Sequence, residues 1–355
     1  MTKENKIPRN SAVELVRILA MAMIVLSHIC CHSGFDSTYS VLSVNRLFVQ
    51  FGYLGNLGVA LFVMISGYFR SSFRVRGLSR LLGQVWFYSL SLFLVCRFVF
   101  GYPYMADMLW QVFLPTVYNE YWFFTAYIML FLLTPFLNQL LDNLTQQQFK
   151  TMLTVMLLLW SVLPTLTEQH LYAAELPQFL MYYCLGAYFR MYPDNVFRKK
   201  GLRWTAAVGS MVLLYGLTVV LGYCERFTPE AFGASARFYD RNSLLILTAA
   251  VGMFTLAVNA KPFTSRFVNT LGGCTFGVYL IHDNPAIRAL LWQKWLYWGA
   301  YFTSGSFIPR LVASVVLVYL VCTGVEWLRQ KTVAKPLEKA IEGGLNRLLK
   351  KSSLV

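Results

Sequence analysis

The sequence predicts an all-α integral membrane protein, a bundle of about ten transmembrane helices with both termini on the cytoplasmic side. Three observations predict it. Of 355 residues, 57% are hydrophobic and only 13% charged, too little polar surface to cover a soluble globule of that size. The apolar residues gather in runs of roughly 20, the length that crosses about 30 Å of hydrocarbon as a helix. The Lys and Arg residues between the runs are abundant in every second connection and scarce in the others.

The candidate spans are 11–31, 47–69, 79–101, 121–141, 149–166, 175–191, 203–222, 242–258, 267–283 and 308–328. The first follows Lys3, Lys6 and Arg9 as a signal peptide would, but Arg17 interrupts the apolar run and no convincing small-residue cleavage site follows, so it reads as a retained helix. In the second, Asn56, Gly58, Ser66 and Gly67 are small enough to admit a neighbouring helix or a ligand. The third opens at the end of the run Arg70, Arg74, Arg76 and Arg80, which serves as an inside-positive loop or as a phosphate site, since planar guanidinium groups bind phosphate bidentately. The fourth opens on an aromatic belt, Tyr121 to Phe124, with Glu120 beside it to line an acceptor site or simply to sit at the interface. The fifth and ninth are short, and the stretch Trp292, Trp295, Tyr297, Trp298 suits an interfacial segment, so nine to eleven spans fit the pattern.

Of the 31 Lys and Arg residues, 22 fall on segments assigned inside and 7 on segments assigned outside, while Arg17 and Arg97 lie within spans. That asymmetry puts both termini in the cytoplasm. It also accounts for the net charge of +15 without nucleic acid, because no soluble basic surface is available to hold a duplex. Seven scattered cysteines without CxxC spacing imply neither a disulfide framework nor a metal site. The chain divides into a polytopic membrane domain, 1–328, and a short basic cytoplasmic tail, 329–355. In the tail Leu337, Ile341 and Leu345 keep helical spacing, for a stretch that rests on anionic lipid or meets a partner.

The chemistry concentrates in the first span. Glu14, Arg17 and His28 are ionisable groups in an otherwise apolar helix, each costing several kcal/mol unless paired or facing a wet cavity. Eleven residues make three turns plus about 20°, so Arg17 and His28 share one face about 16 Å apart along the axis, with Arg17 toward the inner leaflet. Glu14 lies one turn from Arg17 and is placed to pair with it. The alternative is that Arg17 snorkels to the inner headgroups and His28 only bonds between helices. His282, before Asp283, Asn284 and Pro285, falls at a span end on the same outer side as His28, either as an interfacial cap or as part of a shared pocket.

An acidic residue, then Leu15-Val16-Arg17, then ten residues and His28 resembles the signature of the membrane-bound acyltransferase-3 family. Leu61 to Phe69 with Ser66-Gly67, Tyr121 to Phe124 through Pro135, and Tyr279-Leu280-Ile281-His282 agree with it in order and spacing. The resemblance runs from 11 to about 328 and implies a membrane-embedded O-acyltransferase of the bacterial inner membrane. Such an enzyme carries an acyl group, usually acetyl, from cytoplasmic acetyl-coenzyme A or another acyl-coenzyme A to a hydroxyl of an envelope saccharide or lipid-linked glycan, and needs no metal. It makes His28 the essential histidine, Arg17 its partner and Glu14 the acidic position, with Ser66, Gly67, Trp122, Tyr279 and His282 on the substrate side. Larger relatives add an extracytoplasmic hydrolase-like domain. Without one in these 355 residues, the membrane domain completes the transfer alone or a separate extracytoplasmic acyltransferase partner does.

Histidine, with an ordinary pKa of about 6.5, suits the task of taking a proton from an acceptor hydroxyl. His28 is then a base or an acyl carrier, Arg17 holds the donor's arm, and Arg70, Arg74, Arg76 and Arg80 hold its nucleotide. The competing reading of the intramembrane charges is a transporter or flippase of a glycan precursor, but no pair of Gly/Pro-broken spans stands in corresponding halves.

Overall fold

The computed structural model describes residues 10–35, 43–103, 108–167, 175–228 and 230–351. Lys3, Lys6 and Arg9 lie outside them. Each of the ten apolar stretches falls on helix, and the described residues contain no strand. Eight helical segments are long and apolar enough to cross a membrane: Ser11–His32, Val44–Tyr68, Val75–Phe98, Trp122–Asn143, Gln146–Thr167, Lys200–Cys224, Gly233–Val258 and Phe307–Thr332. The other two stretches are helices of 17 residues, Glu175–Met191 and Arg266–His282.

Helix α1 (Ser11–His32) starts where the Asn10 side chain accepts from the Ala12 amide, satisfying one of the donors that a first turn leaves unpaired. The second span is two helices, α2 (Val44–Gly52) and α3 (Gly55–Tyr68), broken at Tyr53 and Leu54. α4 (Val75–Phe98), the short α5 (Met108–Phe113) and α6 (Trp122–Asn143) follow. α7 (Gln146–Leu157) opens on a reciprocal capping box between Thr145 and Gln148 and continues through a π-helical turn into α8 (Leu163–Thr167). A second π-helical turn joins α10 (Lys200–Trp204) to α11 (Ser210–Cys224). α9 (Glu175–Met191), α12 (Leu244–Val258), α13 (Arg266–His282), α14 (Pro285–Leu290), α15 (Phe307–Thr332) and α16 (Ala334–Lys351) complete the chain.

The core is built on α1 and α3, which pack on α9, α12 and α13. The contact of α3 with α9 is the tightest: a Cβ on Gly67 would stand 2.0 Å from the Tyr183 carbonyl oxygen, and one on Gly186 would stand 2.0 Å from the Met64 carbonyl oxygen. Only glycine permits that mutual approach, as between small residues of membrane helices generally. The segments 146–167 and 200–224 expose most of their apolar side chains and form the periphery.

α15 runs on past residue 328 to Thr332, and α16 packs against α4, where Ile341 and Leu337 close over Gly83. At the opposite end of the bundle Trp292 is fully buried with its ring edge-on to His282, while Trp295 and Tyr297 stay exposed.

Candidate functional site

A cavity of about 1240 Å³ runs inside the bundle, and Arg17 and His28 both line it. Its walls include Arg80, Lys335 and Glu338 at the end where α1 begins, and Asp283, Arg288 and Tyr239 toward the other. A partly buried guanidinium and imidazole on one helix therefore face a common space, as the eleven-residue spacing on α1 requires.

Arg17 Nη1 donates to Glu14 Oε1 at 2.6 Å, one turn away. Glu14 is buried because α13 has no side chain at Gly272, where a Cβ would meet Glu14 Oε2 at 2.3 Å. The carboxylate thus compensates the arginine without entering the cavity, and Arg17 remains about a quarter exposed into it.

At the other end His28 Nδ1 lies 3.0 Å from His282 Nε2, and His282 Nδ1 lies 2.6 Å from the Val278 carbonyl oxygen. The chain of bonds assigns the protons. A carbonyl oxygen only accepts, so His282 Nδ1 carries hydrogen. In the neutral ring Nε2 is then an acceptor, and His28 Nδ1 must donate to it. His28 is left with Nε2 as a bare lone pair, in a residue that lines the cavity. Asp283 Oδ1 stands 3.4 Å from His28 Nδ1 and 3.5 Å from Arg288 Nε, so a carboxylate faces the same N–H from beyond the end of α13. His282 itself is fully buried behind His28.

Ser66, Trp122 and Tyr279 line the cavity with Arg17 and His28. Ser66 Oγ donates to the Phe62 carbonyl at 3.2 Å and sits 3.1 Å from the Tyr127 hydroxyl, and the Arg241 guanidinium lies 4.9 Å above the Trp122 ring. Gly67 belongs to the contact between α3 and α9 and is not on the wall. Of the four clustered arginines only Arg80 lines the cavity. Arg70, in the left-handed region at φ 48°, donates twice to Asp142, at 2.5 and 2.8 Å, and to the Asn138 carbonyl, while Arg74 and Arg76 are exposed. Among the described residues no group of three His, Cys, Asp or Glu side chains is placed to hold a metal ion.

The sequence model of one family, described as an acyltransferase domain, matches residues 10–327. The chain belongs to the acyltransferase-3 family. It is a multi-pass membrane acyltransferase, and the match covers every residue of the His28 end of the cavity described above. Comparison with curated proteins and with solved structures gave no match.

Several groups of this acyltransferase-3 protein were not singled out from sequence. Asp283 and Arg288 were legible as an acid and a base five residues apart where a helix meets Pro285. Glu326 and Arg329 are a buried pair one turn apart near the C-terminal end of α15, with Arg329 Nε donating to Glu326 Oε2 at 2.8 Å and Nη2 to Oε1 at 3.0 Å. A lone carboxylate inside an apolar run is the signal that pointed there.

Proposed function

We propose that this acyltransferase moves an acetyl group from cytoplasmic acetyl-coenzyme A to a hydroxyl of a cell-envelope saccharide or lipid-linked glycan, in the bacterial inner membrane, with His28 as the base. One observation carries the reading: Arg17 and His28 line a single cavity whose walls reach both ends of the bundle, and the bonds behind His28 reserve its Nε2 for that cavity.

An acceptor hydroxyl is a poor nucleophile at neutral pH. His28 Nε2 takes its proton while the oxygen attacks the thioester carbonyl carbon, and collapse of the tetrahedral intermediate breaks the carbon–sulfur bond. The thiolate leaves with the proton that His28 held, so ester and free thiol are the products and the base is restored. The Asp283 carboxylate near Nδ1 offsets the positive charge that the ring carries in between. Arg17, about three turns further in, is too distant to serve the oxyanion and suits the donor's arm instead.

His28→Ala is expected to insert at the normal level and to lose acceptor acylation entirely. A fully active variant would exclude His28 as the base. Mass spectrometry of envelope glycans with and without the gene is expected to reveal a base-labile mass of about one acetyl per affected sugar unit. Identical glycans would remove this class of acceptor.

A further inference from the structure

The inner end of the cavity has a construction of its own, and part of it, from Arg329 into α16, lies beyond the residues that the family match covers. Glu326 is buried at the contact of α15 with α13 and α4, in space that Gly277 leaves free, since a Cβ there would meet its carboxylate at 2.6 Å. Both of its oxygens are used: Oε2 by the Tyr88 hydroxyl at 2.6 Å and Arg329 Nε, Oε1 by Arg329 Nη2 and by Gln330 Nε2 at 2.7 Å. Arg329 is thereby fixed by two parallel bonds, with its side chain only 3% exposed. Its third nitrogen, Nη1, is buried and makes no hydrogen bond, with the guanidinium over the Phe87 and Tyr88 rings at 5.9 and 5.8 Å, while Arg329 as a whole lines the cavity.

An unpaired guanidinium N–H in a buried, rigid fork is costly unless something anionic meets it. Once the Glu326–Arg329 pair is taken as neutral, Arg80, Lys331 and Lys335 face the same mouth against the single carboxylate of Glu338, itself 4.0 Å from Arg80 Nε. Three mobile cations against one acid, around a fixed donor with a free N–H, is the composition of a site for a multiply charged phosphate. α16 supplies Lys335 and Glu338, and its packing on α4 brings them to Arg80.

We propose that this mouth, formed by Arg80, Arg329 and Lys335 with α16 as one wall, binds the nucleotide phosphates of the acyl donor. The inference rests on the reading of the donor as a coenzyme A thioester. It assigns the nucleotide end to α4, α15 and α16. Arg70, held by Asp142, and the exposed Arg74 and Arg76 have no part in it. From this mouth the acyl arm passes Arg17 toward His28.

The test is calorimetric titration of coenzyme A, 3′,5′-adenosine bisphosphate and pantetheine into the full chain in nanodiscs, comparing wild type with Arg80→Gln/Lys335→Gln. Both side chains are exposed, so the double variant keeps the buried pair and the fold. Lys261→Gln, an exposed cation off the cavity, controls for general charge. Coenzyme A and the bisphosphate are expected to bind the double variant at least tenfold more weakly, with less salt dependence, whereas pantetheine binds both proteins alike and Lys261→Gln changes none of the three. Equal coenzyme A affinity in wild type and double variant would overturn the site alone. Absence of coenzyme A binding by the wild type would overturn the donor reading and the site with it. An equal loss for pantetheine would assign the effect to the fold and refute phosphate recognition. Nanodiscs of phosphatidylcholine and of phosphatidylglycerol separate nucleotide from lipid phosphate: if the anionic lipid erases the difference between wild type and variant, the mouth takes headgroups and the proposal fails.

Discussion

His282→Phe tests whether a residue that never reaches the cavity governs the one that does. The substitution keeps an aromatic ring beside Trp292 and deletes the acceptor 3.0 Å from His28 Nδ1. A buried donor that loses its acceptor costs about 1–3 kcal/mol. At about 1.36 kcal/mol per tenfold, that is a loss of roughly 5- to 150-fold in rate if the full cost is felt where His28 must keep Nε2 bare. Asp283 Oδ1, 3.4 Å from the same N–H, recovers part of the bond and holds the expected loss near tenfold to a few tens. The loss should fall on kcat with KM little changed, because the ring's proton inventory changes while the cavity wall does not. His282→Gln restores an acceptor at the Nε2 position and should recover most of the rate. The assay is the initial rate of labelled acyl transfer in proteoliposomes, normalised to folded protein. Wild-type kcat in His282→Phe, or equal losses in the Phe and Gln variants, would refute the relay.

Three further outcomes follow from the packing. Glu326→Ala strands the Arg329 guanidinium in a buried site and should cost about 3–5 kcal/mol, read as a large fall in the thermal unfolding midpoint, whereas Glu326→Leu/Arg329→Met recovers most of it. A midpoint unchanged in Glu326→Ala would show the pair to be solvated. Gly186→Leu cannot be fitted without separating α3 from α9, so its yield of monodisperse protein should collapse, while Gly216→Leu, in open space on α11, should be neutral. Glu120 lies just before α6, where burial pushes its carboxyl up to about 7 against the hydrogen bonds from Ser89 and Asn284 that favour its charged form. The native state then holds this proton more tightly than the unfolded chain, whose value is near 4.5, so stability falls as pH rises from about 4.5 to about 7 and is flat above. Glu120→Gln should lack that fall between about pH 4.5 and about pH 7, and parallel midpoint curves for the two proteins would exclude Glu120 as its source.

The ten helical stretches were legible because a long apolar run has few alternatives to a helix in hydrocarbon. The break at Tyr53 and Leu54 and the π-helical turns were not, because they answer to a neighbouring helix and leave hydropathy untouched. In the site, the helical period alone put Arg17 and His28 on one face, and the rank of His282 at a span end put it on the right side. The arginines between Arg70 and Arg80 were legible only as charge. Which of them meets the cavity depends on the docking of α16, which no local pattern in residues 70–80 encodes. The glycines of α13 were equally silent, since Gly272 and Gly277 matter only through the carboxylates of Glu14 and Glu326 that they admit.

A bundle hollowed along much of its length is also a hazard to the membrane that holds it, because water inside it invites protons and sodium down the membrane potential. The wall sets guanidinium groups at successive depths, each beside a carboxylate: Arg80 by Glu338 and Arg329 by Glu326 at the end where α1 begins, Arg17 by Glu14 further along, Arg288 by Asp283 near the far end. Arginine lining a polar passage repels small cations. Loss of any one of these arginines would leave its carboxylate unmatched at the wall, an invitation to the small cations that the intact pair turns away.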